Sequence, residues 1–142
     1  MHLLGACGHR CSCVAGFNYD KMLHTLPDDV WDIVQKIHVR APFRLIRAAA
    51  PYMRIKVCVS SLSRGSVMVF MQSQGNTENR SIINVSSTAG LHGSIGRANY
   101  AAAKAAVVGL TKTITKEWGP FGVRANTIAF GLVHTRSVLN GT

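Results

Sequence analysis

Tyr100 and Lys104 stand four residues apart in a stretch, 99–118, that is rich in alanine and free of glycine except for Gly109. As a helix, this stretch puts both side chains on one face, about one turn apart. The spacing bears on proton transfer. A free tyrosine holds its proton to about pH 10, and a neighbouring ammonium favours the phenolate, bringing such a phenol toward use as an acid or base at neutral pH. The pair alone is common and usually means a solvated helix face, so its neighbours matter. Ser87 closes the β-branched run 81–87, which reads as a buried parallel strand. Ligand chemistry in open parallel sheets gathers at the carboxyl ends of strands, so Ser87 is placed to hydrogen-bond a substrate carbonyl oxygen.

The elements that position these three residues follow from the same sequence. Residues 1–16 are rich in Gly and Cys, with Val14, Ala15 and Gly16 reading as the end of a short strand entering a turn. Thr25 is expected to cap a helix starting Leu26-Pro27-Asp28-Asp29, where proline is tolerated and both carboxylates meet the positive end of the macrodipole. Val30, Trp31, Val34 and Ile37 recur at helical spacing. Phe43, Leu45, Ile46, Ala49 and Ala50 continue an apolar face toward Met53, and Pro42 should kink or divide the helix. Residues 57–80 break the pattern and read as an insertion or irregular segment, or an extra strand over the apolar run 66–71. The helix over 99–118 stops at Gly119-Pro120, and 123–129 is the next strand. Strand, helix, strand, helix, strand predicts a parallel sheet with crossover helices.

Composition limits the alternatives. The 142 residues fit one domain and 47% are apolar, enough for a core. Sixteen Lys and Arg against six Asp and Glu give a net charge of +10. The basic residues are scattered, without runs, zinc-finger spacing or interleaved aromatics, so no nucleic-acid partner is expected and a solvated basic surface is. Cys7, Cys11, Cys13 and Cys58 lack paired Cys-x-x-Cys spacing, so no metal is expected and free thiols of a reducing compartment are. Neither a signal peptide nor an apolar run long enough to span a bilayer is present, which points to a cytoplasmic or mitochondrial rather than secreted protein. The glycosylation patterns at Asn79, Asn84 and Asn140 are discounted on the same ground.

The segment Ile83-Asn-Val-Ser-Ser-Thr-Ala-Gly90, followed by Asn99-Tyr-Ala-Ala-Ala-Lys104, closely resembles the short-chain dehydrogenase/reductase family, including the family's thirteen-residue step from serine to tyrosine. Leu26-Pro-Asp-Asp-Val-Trp31 resembles its helix start, and Gly122-Val-Arg-Ala-Asn-Thr-Ile128 its next strand. The tone is closest to 3-oxoacyl-acyl-carrier-protein reductases. The resemblance implies an α/β fold: a partial Rossmann-like, doubly wound parallel sheet in a single partial domain over 1–142. It implies a cofactor, NAD or NADP, and interconversion of a ketone, of 3-oxoacyl type, with a secondary alcohol. Tyr100 would protonate the carbonyl oxygen, Ser87 would orient it, and Lys104 would also bind the nicotinamide ribose. Gly131, Val133 and Thr135 fall where the family contacts the nicotinamide end, although its usual Pro-Gly reads Phe130-Gly131 here.

Departures from the family are informative. Its Asn-Asn-Ala-Gly reads Cys13-Val-Ala-Gly16, and the asparagine of its proton-relay tetrad is His38. Nothing before Cys13 supplies the glycine-rich phosphate-binding turn, so the N-terminal dinucleotide-binding half is expected to be missing. Gly90, Gly93 and Gly96 imitate such a turn, but in the family this stretch only connects the serine strand to the tyrosine helix. Catalytic groups without phosphate anchoring lack the binding energy that positions a cofactor. Two functions therefore stand side by side: an NAD(P)(H)-dependent oxidoreductase of a small carbonyl or acyl-thioester substrate, impaired in cofactor binding, and an inactive truncated form that pairs with a full-length subunit. The family assembles through helices matching 30–54 and 99–118, so homo-oligomerisation is expected.

Overall fold

A computed structural model describes residues 17–54 and 80–132 in full and the backbone path of 10–13. Three parallel strands, β1 (Arg10–Cys13), β2 (Ser81–Ser87) and β3 (Arg124–Phe130), lie in that order with β2 central. β3 pairs with β2 along its whole length, from Ser81 opposite Arg124 to Ser87 opposite Phe130, and β1 pairs with the first four residues of β2. The expected grammar is therefore observed, with the first strand at 10–13. Residues 14–16 and most of 57–80 lie outside the described residues, as do Cys7, Cys58, Asn79 and Asn140.

The first crossover holds α1 (Asp28–Gln35) and α2 (Ala41–Met53). Thr25 does not cap it. Pro27 occupies the N-cap with extended backbone and no side-chain bond, while the Thr25 hydroxyl donates to the Met22 carbonyl at 3.1 Å, closing the 3-10 turn Leu23–Thr25. The helix start is set instead by Asp28 and Asp29 in the first turn, whose charges oppose the dipole. Between α1 and α2 the chain makes a wide π-helical turn, Lys36–Arg40, immediately before Pro42 in the first turn of α2. A proline ring clashes with the carbonyl four residues back in a regular α-helix, and the wider turn relieves that clash.

This turn also corrects the expected apolar face. At about 100° per residue, an uninterrupted helix would place Leu45 within about 20° of Val34 and Ile46 about 120° away. One extra residue absorbed in the wide turn exchanges the two. Val34, His38, Pro42, Ile46 and Met53 are buried, whereas Phe43 and Leu45 are exposed. The buried Arg80, just before β2, donates to the Met53 carbonyl at 2.7 Å and satisfies the end of α2.

The second crossover holds the short α3 (Thr88–His92) and the long α4 (Ala98–Trp118). α4 combines an alanine-rich sequence with one buried stripe, Asn99, Ala103, Lys104, Val107, Thr111, Ile114 and Trp118. It ends where Pro120 cannot continue it, in a 3-10 turn, Gly119–Phe121, closed by Gly122 in the left-handed region at φ 75°. Ile82, Ile114, Trp118 and Val123 pack with Ile46 and Met53 as the core, so both helices lie on the sheet. Asn84, central in β2, is fully buried and donates to the Thr111 hydroxyl at 2.9 Å, which rules it out as a glycosylation acceptor.

The change of helical face generates a direct test. Ile46→Ala is expected to cost about 2–5 kcal/mol as a core truncation, and Leu45→Ala less than about 0.5 kcal/mol. Urea unfolding midpoints measure both, and equal costs would contradict the wide turn.

Candidate active site

The carboxyl end of β2 and the first two turns of α4 are joined at one residue. Lys104 is 5% exposed, its ammonium donates to the Val85 carbonyl at 2.9 Å, and its own main-chain carbonyl accepts the Ser86 hydroxyl at 2.8 Å. A buried ammonium demands such partners, and burial holds its pKa below the usual lysine value. α3 presses on the same point through Gly90. A Cβ there would stand 2.7 Å from both the carbonyl carbon and the Cβ of Lys104.

Tyr100 lies one turn earlier on α4, half-buried, with the Lys104 ammonium 5.5 Å from its ring centroid. The expected pair is thus a real neighbourhood and not a solvated face. Asn99 fixes this turn. Fully buried, it accepts the Tyr100 backbone N–H on its side-chain oxygen at 2.7 Å and donates to the Tyr19 carbonyl at 3.3 Å, while its own carbonyl accepts from Gln35 at 3.0 Å. Asn99 and Ser86 were legible only as neighbours of the motif, because the polar bonds that give them a task are long-range.

Ser87 ends β2 and caps α3, its half-buried hydroxyl accepting from the Ala89 N–H at 3.3 Å. It follows directly on Val85 and Ser86, the two residues bonded to Lys104. Gly131 follows Phe130, the residue opposite Ser87, and is exposed at the same end of the sheet. Val133 and Thr135 lie outside the described residues. The imitation phosphate turn is no cradle: Gly90 serves close packing, and Gly93 and Gly96 adopt φ 80° and 73° in the turn before α4. Among the described residues no three metal-ligating side chains cluster, and no helix is long and apolar enough to cross a membrane.

His38, in the π turn, is 3% exposed; its Nε2 lies 2.7 Å from the Phe17 carbonyl, and its ring meets that of Tyr100 edge-on at 5.2 Å. Burial pushes its pKa below the usual histidine value, the Phe17 carbonyl partly offsets this, and the Lys104 charge lowers it further.

The model of the short chain dehydrogenase family matches residues 13–140, a range that includes β2, α4 and β3. The chain belongs to this family. It is 39% identical over 114 residues to the hydroxyacyl-CoA dehydrogenase ChsB1 of Mycobacterium tuberculosis, covering 80% of this chain and 32% of that protein. It is 34% identical over 121 residues to the 3-oxoacyl-(acyl-carrier-protein) reductase FabG of Thermotoga maritima, covering 85% of this chain and 41% of that one. Among solved structures, 4-hydroxyisoleucine dehydrogenase complexed with NADH superposes with a TM-score of 0.70 at 26% identity, over 92% of this chain and 48% of that one. The short chain dehydrogenase sequence described here thus spans about a third of the first relative and two-fifths of the second.

Two outcomes follow from the packing around Lys104. Gly90→Ala should destabilise the fold by about 1–3 kcal/mol through overpacking, read from urea unfolding, and an unchanged midpoint would show α3 free to retreat from α4. Because the folded pKa of His38 is depressed, the unfolded chain binds more protons on it below the ordinary value of about 6.5. Its contribution to stability is therefore complete above that pH and lost as the pH falls through it toward the lower folded value, so the unfolding free energy measured from pH 8 to 5 should decline more steeply than in His38→Asn.

Proposed function

We propose that this chain carries the proton-transfer side of an NAD(P)(H)-dependent oxidoreductase site, which interconverts a 3-oxoacyl thioester or similar ketone and the corresponding secondary alcohol. The observation that carries this reading is the buried Lys104 ammonium beside the Tyr100 ring, at the end of the strand that presents Ser87. In reduction Tyr100 gives its phenolic proton to the carbonyl oxygen, and Ser87 donates a hydrogen bond that orients that oxygen. Lys104 supplies positive charge beside the phenol. A bound nicotinamide would supply the hydride that goes to the carbonyl carbon, completing the two-electron reduction.

The residues present fit the nicotinamide ribose end of such a cofactor. One of the three donors of the Lys104 ammonium is used by Val85, which leaves two for ribose hydroxyls. Gly131, without a side chain, leaves the approach beside Ser87 open. Gly90 serves packing and Gly93 and Gly96 a turn, so phosphate anchoring is not among their tasks and weak cofactor binding is expected. The acyl substrate class rests on the names of the relatives and on apolar side chains exposed around the strand tips, Leu91, Phe130 and Leu132.

A second reading, a non-catalytic form that associates with a complete subunit, draws on one observation. The β3 side chains facing away from α4, Ile128 and Phe130, are 42% and 47% exposed, although parallel sheets ordinarily have both faces covered. Self-association through α1, α2 and α4 belongs to either reading.

Titration with NADH and NADPH, followed by nicotinamide fluorescence, is expected to give binding weaker than micromolar; micromolar binding would overturn the impaired-cofactor reading. At saturating cofactor, Tyr100→Phe should lower reduction of a 3-oxoacyl thioester by about 100-fold or more with little change in the unfolding midpoint. Turnover that survives the substitution would exclude Tyr100 as the proton donor.

A further inference from the structure

The geometry points to His38 as a positioning residue of the Tyr100 site, acting as a neutral imidazole protonated on Nε2. This rests on the reading of Tyr100 as the proton donor, although the contacts themselves do not depend on it. The tautomer follows from the partner. A carbonyl oxygen only accepts, so the nitrogen 2.7 Å from the Phe17 carbonyl must carry the hydrogen. In the neutral ring the other nitrogen is then a bare acceptor, and Nδ1 is indeed buried with no hydrogen-bond partner among the described residues.

Three features set this imidazole apart from a packing residue. It sits in the π turn, where the backbone departs from the α-helix and can aim a side chain differently from its neighbours. Its ring stands at 90° to the Tyr100 ring, so it fixes the lateral position of the phenol, while its N–H fixes Phe17 on the segment that also contacts Asn99 through Tyr19. An apolar side chain of the same size would fill the space without leaving Nδ1 unsatisfied, so packing alone does not account for an imidazole here.

The surroundings favour the neutral form. From α4, Lys104 and Tyr100 face the ring; from its own turn, Lys36 and Arg40 point to solvent; from the segment after Phe17, Asp20 is engaged at the surface with Arg97 at 3.1 Å. The charge acting on the imidazole is that of Lys104, which opposes a second cation. Protonation at Nδ1 would therefore disturb the ring packed against Tyr100, and the site should lose order on the acid side as His38 titrates.

The test combines an NMR titration of histidine-labelled protein with turnover. Expected are an Nε2–H tautomer near neutrality, a midpoint below 6.5, and Tyr100 ring signals that move with the same midpoint. Those Tyr100 changes should vanish in His38→Gln, which keeps a donor for Phe17 but cannot titrate, and in His38→Phe, which keeps a ring but no donor. In turnover, the wild-type acid limb should carry the His38 midpoint and be absent from His38→Gln. An Nδ1–H tautomer, a midpoint at or above 6.5, or Tyr100 signals indifferent to the titration would overturn the assignment. Failure of turnover with the NMR coupling intact would instead count against the reductase reading and leave the positioning of Tyr100 by His38 standing.

Discussion

A buried ammonium must be hydrogen-bonded, and in this molecule that demand falls on Lys104. Its side chain takes the Val85 carbonyl, its main chain takes the Ser86 hydroxyl, and α3 is held against it at a distance only glycine permits at position 90. Sheet, short helix and long helix thus meet at a single residue. Tyr100 and Ser87 inherit their places from this junction, one a turn earlier on the helix and the other next in line on the strand. Removing the lysine charge would therefore alter electrostatics and architecture at once.

The rest of the architecture serves the same junction from further away. Asn99 ties the first turn of α4 to Tyr19 and to α1 through Gln35, and the backbone bond from Lys21 to the Gly96 carbonyl, at 2.8 Å, holds the approach to α4 against the segment after β1. The exposed Arg97–Asp20 pair lies over the same crossing, where solvent screening leaves it little energetic weight. Below, the cluster of Ile46, Met53, Ile82, Ile114, Trp118 and Val123 clamps both crossover helices to the sheet. The polar site sits at one end of this apolar clamp, so its geometry is fixed by contacts that carry no chemistry.

The sequence was most legible where local signals and tertiary needs coincide. The serine strand is a short β-branched run, the tyrosine helix is alanine-rich with a glycine-proline stop, and the last strand lies between that stop and Gly131; each signal is contained within a few residues. Legibility failed where a distant partner decides. Thr25 has the chemistry of a cap but spends its hydroxyl on Met22, and Leu45 has the spacing of a core residue but is turned outward by the wide turn that ends at Arg40. Gly90 read only as part of a connecting turn, because its close approach to the Lys104 backbone and Cβ is set by the packing of α3 on α4 and not by local spacing. Family resemblance supplied the joint meaning of Ser87, Tyr100 and Lys104, which spacing left open.

The wide turn at Lys36–Arg40 has a consequence for how this stretch tolerates change in length. Deleting one residue there would mend the regular ladder of hydrogen bonds and, locally, look like an improvement. Downstream, Ile46 and Met53 would keep their face, because the surplus residue is what the wide turn absorbs, but the distortion that Pro42 needs would be gone. Length and sequence are therefore linked across this segment: the surplus residue can go without turning the downstream face, but not while Pro42 stands four residues after a regular helical carbonyl.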